Sequence, residues 1–159
     1  MLRALPVLAL VSVGWAAPPA RAPARDPRLA ALERQVFQLV NNERTWRGLA
    51  ELRWDDRLAA LARRHASNMA ARGFFAHVDP VHGDVPDRLA KAGIAWSRFE
   101  ENLLEQWGYE EEARSGVLSW MASPDHRRNI LDKDVTLAGV GAARHRDGRL
   151  FLAQEFIRP

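Results

Sequence analysis

Ser123-Pro124-Asp125-His126-Arg127-Arg128-Asn129-Ile130-Leu131 is the stretch from which the rest of the chain can be read. Ser123 has the chemistry of an N-cap. Pro124 suits the first helical position, where its missing N–H would have had no partner, and Asp125 faces the positive end of the helix dipole. This grammar predicts a helix start with His126 in its first turn. The dipole there favours the neutral imidazole, the form that accepts a hydrogen bond or binds a metal. Arg127 and Arg128 suit solvent, whereas Ile130 and Leu131 suit a core.

Working outward, 159 residues of which 47% are hydrophobic suffice for one domain with one core. Met1-Leu2-Arg3 is a short basic start, Ala4 to Trp15 an apolar run too short to span a bilayer, and Ala16 to Ala24 a run of small residues and prolines. The pattern reads as a secretory signal peptide over residues 1–24, with cleavage after Ala16 or Ala24; the alternatives are a retained anchor or a start codon placed too early. Cysteine is absent, which excludes a lipid-anchored lipoprotein and favours a bacterial exported domain held by its core rather than by disulfides. The arginines are scattered among acids, with no basic stripe and no interleaved aromatics, so nucleic acid is not an expected partner.

Asp26-Pro27 opens a helix carrying Leu32, Val36, Leu39 and Val40, with Gly48 as its stop. Asp55 or Asp56 caps a second helix with a stripe of Leu58, Leu61, Ala62, Ala66 and Met69, ending at Gly73. His65 lies beside that stripe and reads as a partly buried helix residue. A short helix follows Pro86, Ile94 to Leu104 has room for a strand, and a helix is expected from about Tyr109 to Ala122. Leu137 to Ala143 and Leu150 to Ile157 flank a polar turn with Asp147-Gly148, which predicts a closing β-hairpin.

Three polar elements stand out: Phe74-Phe75-Ala76-His77, Glu100-Glu101-Asn102-Leu103, and Trp120-Met121-Ala122-Ser123-Pro124-Asp125-His126. With Asn41-Asn42-Glu43-Arg44 and Leu52-Arg53-Trp54-Asp55 before them, and Gly139-Val140-Gly141 and Phe151-Leu152-Ala153-Gln154-Glu155-Phe156 after, the chain resembles the CAP superfamily. These are the cysteine-rich secretory, antigen 5 and pathogenesis-related 1 proteins, and the likeness is to their exported bacterial branch over about Leu32 to Ile157. The resemblance implies an α+β fold, an α-β-α sandwich with a small antiparallel sheet between helical layers, as one domain over residues 25–159. It also implies a cleft lined by two His and two Glu. By motif His77 and His126 are the histidines and Glu101 the first glutamate, while Ser123 stands where the second would be.

Two imidazoles and a carboxylate are a sufficient protein ligand set for Zn²⁺ with an open position, so His77, Glu101 and His126 are the candidate metal ligands. The His-Glu-x-x-His helix of zinc peptidases is absent. Serine chemistry is disfavoured because an N-cap role occupies the Ser123 hydroxyl and there is no Gly-x-Ser-x-Gly elbow. Glu101 could instead pair with a nearby arginine such as Arg98. Phe74, Phe75, Trp120, Met121 and Phe156 are read as core. The expectation is a secreted or periplasmic monomer without stable membrane insertion after cleavage. Its cleft around His77, Glu101, Ser123 and His126 binds a small molecule, a lipid or a divalent metal, with no residue assigned to catalysis. The alternative is a metal-dependent hydrolase acting on cell-envelope or peptide substrates.

Overall fold

The computed structural model describes residues 25–159, so the leader read at 1–24 lies outside the described residues. Helix α1 (Pro27–Trp46) begins as the sequence indicates, with the Asp26 carboxylate accepting from the Arg28 amide at 2.8 Å. A two-residue strand β1 (Arg53–Trp54) leads into α2 (Asp56–Arg72), capped by Asp55 and closed by Gly73 at φ 68°, a left-handed conformation that suits glycine. Then follow α3 (Val85–Lys91), β2 (Arg98–Gln106), α4 (Glu112–Ala122), α5 (Pro124–Ile130), β3 (Leu137–Arg144) and β4 (Leu150–Arg158). Helix α4 starts later than expected from Tyr109, because Glu111, its N-cap, has φ −102° and ψ 67°, outside helical geometry.

The strands form one sheet in the order β1-β3-β4-β2. Strands β2, β3 and β4 run antiparallel as expected, and β1 joins the edge parallel to β3, which makes the sheet mixed. Helical layers cover both faces. On one face α1, α4 and α5 pack Val36, Val40, Val117, Trp120 and Ile130 against Val140, Leu152 and Phe156. On the other, α2 and α3 pack Leu58, Leu61, Met69 and Leu89 against Phe151, Ala153 and Ile157. Alternation along β4 therefore sorts side chains between two cores and not between core and water, and Leu150 through Ile157 are all buried.

Gly139 and Gly141 set the spacing of α2 from the sheet. A Cβ on either would lie closer than 3.0 Å to the α2 backbone, at Leu58 and Ala59 for the first and at Ala62 and Arg63 for the second. The helix therefore rests directly on β3. Phe75, expected in the core, is 48% exposed, since the loop after Gly73 turns its polar groups inward and this ring outward. No helix among the described residues is long and apolar enough to cross a membrane.

Candidate functional site

The floor of the site is written in the register of β2 and β4. Glu101 pairs opposite Glu155. Both side chains point to the α2–α3 face, and both are buried. Two adjacent buried carboxyls need a counter-charge, and α3 supplies it. Asp84 caps α3 by accepting from the Asp87 amide at 3.0 Å, and one turn later the buried Arg88 guanidinium reaches the pair. Its Nη2 donates to Glu101 and, at 3.2 Å, to Glu155. Its Nη1 donates to the carbonyls of His77 (2.7 Å) and Gly83 (3.2 Å).

One guanidinium balances one carboxylate. Burial pushes Glu155 well above the usual carboxylate range, and the Glu101 charge beside it pushes in the same direction. Burial also pushes Glu101 up, to about 7, while Glu155 and Arg88 pull it back. Glu155 is therefore the one that carries the proton. Its Oε2 is buried and has no hydrogen-bond partner among the described residues, which an ionised carboxylate would tolerate less well than a neutral one.

The loop between Gly73 and Asp84 is held from beneath. The buried Asp79 carboxylate accepts from the amides of Val81 (2.8 Å) and His82 (3.0 Å) and from Asn68 Nδ2 (2.7 Å). These donors outweigh the burial that opposes its charge, so its pKa falls below the usual carboxylate range. His65 is fully buried, not partly so. Its Nε2 lies 3.0 Å from the Ala76 carbonyl and its Nδ1 lies 3.4 Å from Asp79; a neutral ring supplies one of those N–H groups at a time. Burial, reinforced by the Arg88 charge, depresses it to about 4.

On this platform His77 places Nδ1 2.7 Å from Glu101 Oε1. The carboxylate accepts the Nδ1–H, so the Nε2 lone pair is the free one. Burial and then Arg88 lower the His77 pKa, which keeps the ring neutral at pH 7.

The opposite wall is α5. Buried Arg44 of α1 ties down its end by donating Nη1 to the carbonyls of Ile130 and Asp132, each at 2.8 Å. Asn129 Nδ2 donates to Glu101 O (3.1 Å) and Asn102 Oδ1 (3.0 Å), and Asn102 Nδ2 donates to His126 O (3.2 Å). His126 is thereby fixed against β2. Its pKa is lowered as the helix-start reading anticipated, but the causes are burial and the nearby His77. Ser123 departs from expectation. It occupies the N-cap position of α5 in extended geometry, yet its side chain makes no capping bond. Capping therefore does not occupy the hydroxyl, contrary to the expectation from sequence. Glu101 likewise pairs with Arg88 and not Arg98, which is spent on Asp132 and Glu100.

His77, Glu101, Ser123 and His126 all line one cavity of about 490 Å³. Its lining is partly apolar, with Val85, Pro86 and Phe99, and it carries the carboxylates of Asp84, Glu100 and Asp125, the last paired at 2.9 Å with Arg128, which also lines the cavity. Among the described residues no group of three or more His, Asp or Glu side chains converges as a metal-binding set. Glu101 is committed to His77 and Arg88, which leaves the two imidazoles as the free donors. Sequence reasoning missed Arg88, Glu155, Asp79 and the burial of His65. For Glu155 a signal existed: it shares strand parity with Phe151, Ala153 and Ile157, so a carboxyl was being placed on a buried face.

Comparison with known proteins agrees with this architecture. YkwD of Bacillus subtilis is 34% identical over 113 residues, covering 71% of this chain and 43% of the relative. The membrane protein YlbC of the same organism is 31% identical over 126 residues, covering 79% of this chain and 34% of its own length. The chain thus spans less than half the length of either relative. The structure of an extracellular SCP-domain protein from Bacillus anthracis superposes with a TM-score of 0.74 at 28% identity, over 87% of this chain and 45% of that one. Residues 37–156 match the model of the cysteine-rich secretory protein family, CAP, and the chain belongs to that family.

Proposed function

We propose that this is an exported CAP domain that captures a ligand, and that the ligand-binding centre is the pair of imidazoles of His77 and His126. The observation that carries this is the Glu101–His77 bond. It fixes the His77 tautomer and leaves the Nε2 lone pair free on a residue that lines the same cavity as His126. Both rings are held neutral, the form that donates a lone pair.

A divalent cation of the zinc type fits this donor chemistry, with His77 and His126 as ligands and Glu101 as the outer carboxylate that orients one of them. The carboxylates in the lining support the same charge preference. NaASP2, a protein of similar fold at 12% identity and TM-score 0.59, was crystallised with Zn²⁺, which motivates zinc as the probe. When bound, such a cation supplies Lewis acidity. A second reading, metal-dependent hydrolysis of envelope or peptide substrates, draws support from Glu101, whose pKa of about 7 suits proton exchange. We favour capture without catalysis, because both oxygens of Glu101 are already engaged.

Calorimetric titration of the protein with Zn²⁺ tests the proposal. Saturable binding is expected in the wild type, with a loss in His77→Ala and in His126→Ala at unchanged melting temperature. Equal binding by both variants would overturn it. Turnover of envelope peptides abolished by Glu101→Gln would favour the hydrolase instead.

A further inference from the structure

Away from the His77 cleft, the outer side of α2 and the start of the β3–β4 turn enclose a cavity of about 450 Å³, whose lining includes Ser67, Ala71, Arg144, His145 and Arg146. A second cavity, of about 330 Å³, adjoins it through Ser67, Ala143 and Arg144 and adds Arg25 and Arg63. Neither cavity has a carboxylate in its lining, and neither shares a residue with the His77 cleft. The contrast with that carboxylate-lined cleft is a segregation of charge in a chain whose formal net charge is only +3.

The carboxylates that do touch these arginines hold them in place. Glu33, buried under the groove, pairs with Arg25 and Arg63 and also accepts the Ala142 amide at 3.0 Å. Glu112 takes both terminal nitrogens of Arg144, at 2.9 and 2.7 Å. Asp147 in the turn is engaged by His145 and Arg149, leaving Arg146 exposed and without an acidic partner among the described residues. A guanidinium fixed from one side keeps further N–H donors for the other, so the ordering entropy of a binding site is already spent. Alanines at 70, 71, 142 and 143 leave the room.

We infer that this arginine-lined groove is a second binding site, for a small ligand carrying phosphate-type oxyanions. Planar guanidinium forks match tetrahedral oxyanions bidentately, and the Ser67 hydroxyl adds a neutral donor. The lining has no Phe, Tyr or Trp on which a base could stack, and its one imidazole, His145, is paired with Asp147 at 2.8 Å, so the chemistry favours an inorganic or aliphatic phosphate over a nucleic acid.

The test is titration of the ¹⁵N-labelled protein with inorganic pyrophosphate at low, constant ionic strength. Saturable amide shifts are expected around Ser67 and residues 143–148, and absent around His77 and His126. Arg146→Gln should weaken the affinity at least about fivefold, the loss of a charge-assisted contact. Ser67→Glu, which puts a carboxylate on the wall the two cavities share, should abolish binding. Both substitutions are at exposed positions, and unchanged melting temperatures would show both variants folded. The inference is overturned by non-saturable shifts spread over all surface arginines, or by equal affinity in the two variants. It is also overturned if a single-stranded oligonucleotide displaces pyrophosphate at matched phosphate concentration.

Discussion

Replacing Arg88 with methionine tests the electrostatic account of the site most directly. The substitution keeps bulk but removes four donor contacts: those to Glu101, Glu155, His77 O and Gly83 O. Breaking a buried ion pair costs about 3–5 kcal/mol, because the remaining charge is left uncompensated. Glu101 can escape part of that penalty by taking up a proton, which makes the cost depend on pH. In the wild type Glu101 titrates at about 7; without Arg88 its folded pKa moves higher still. Below about pH 7 the carboxyl is protonated in both proteins, and the difference reduces to the two orphaned carbonyls, about 2 kcal/mol. Above pH 7 the wild type ionises first. The folded variant then holds a proton that the wild type has released, and the difference grows by up to about 1.4 kcal/mol per pH unit. Urea denaturation followed by tryptophan fluorescence, run from pH 5.5 to 8.5, measures this. The Arg88→Met/Glu101→Gln double variant should lose most of the pH dependence. A destabilisation equal at pH 6 and pH 8.5, or smaller than about 1 kcal/mol throughout, would refute the argument.

Three further outcomes follow from the packing and hydrogen bonding. Gly141→Ala drives a methyl into the backbone of α2 at Ala62 and Arg63, so chemical denaturation should show a loss of about 3 kcal/mol or more. Ser123→Ala should leave stability within about 0.5 kcal/mol, since the hydroxyl makes no cap bond; a loss near 1 kcal/mol would restore the capping role. The folded His65 pKa of about 4 lies below its unfolded value. Its contribution is complete above the unfolded pKa and is lost as pH falls from about 6.5 to 4, at most about 3 kcal/mol. His65→Gln should remove that acid-side decline relative to wild type in thermal melts at matched pH.

These expectations separate two kinds of information in the chain. The helix boundaries were legible because capping is local. Asp26-Pro27, Asp55 before α2, Gly73 after it and Pro124 at the start of α5 satisfy or remove backbone groups within a few residues of themselves. The order of motifs was equally legible and pointed to the family that the comparisons show. So was the closing hairpin, from its period and its Asp147-Gly148 turn. His77, Glu101, Ser123 and His126 could be named from those motifs, and one cavity gathers all four.

The electrostatic state of those residues, by contrast, depends on partners distant in the chain. Glu101 and Glu155 are more than fifty positions apart in the chain, and only the β2–β4 register sets them face to face. Arg88 reaches them from a helix whose sequence announces a start but not what it packs against. Tautomer and charge follow from such contacts, because burial and neighbouring charges shift protonation equilibria that residue type alone leaves at their solution values. Local motifs therefore named four of the residues that line the cleft. The fold decided that Glu155 holds the proton, that Glu101 is spent orienting His77, and that the two imidazoles are the free donors.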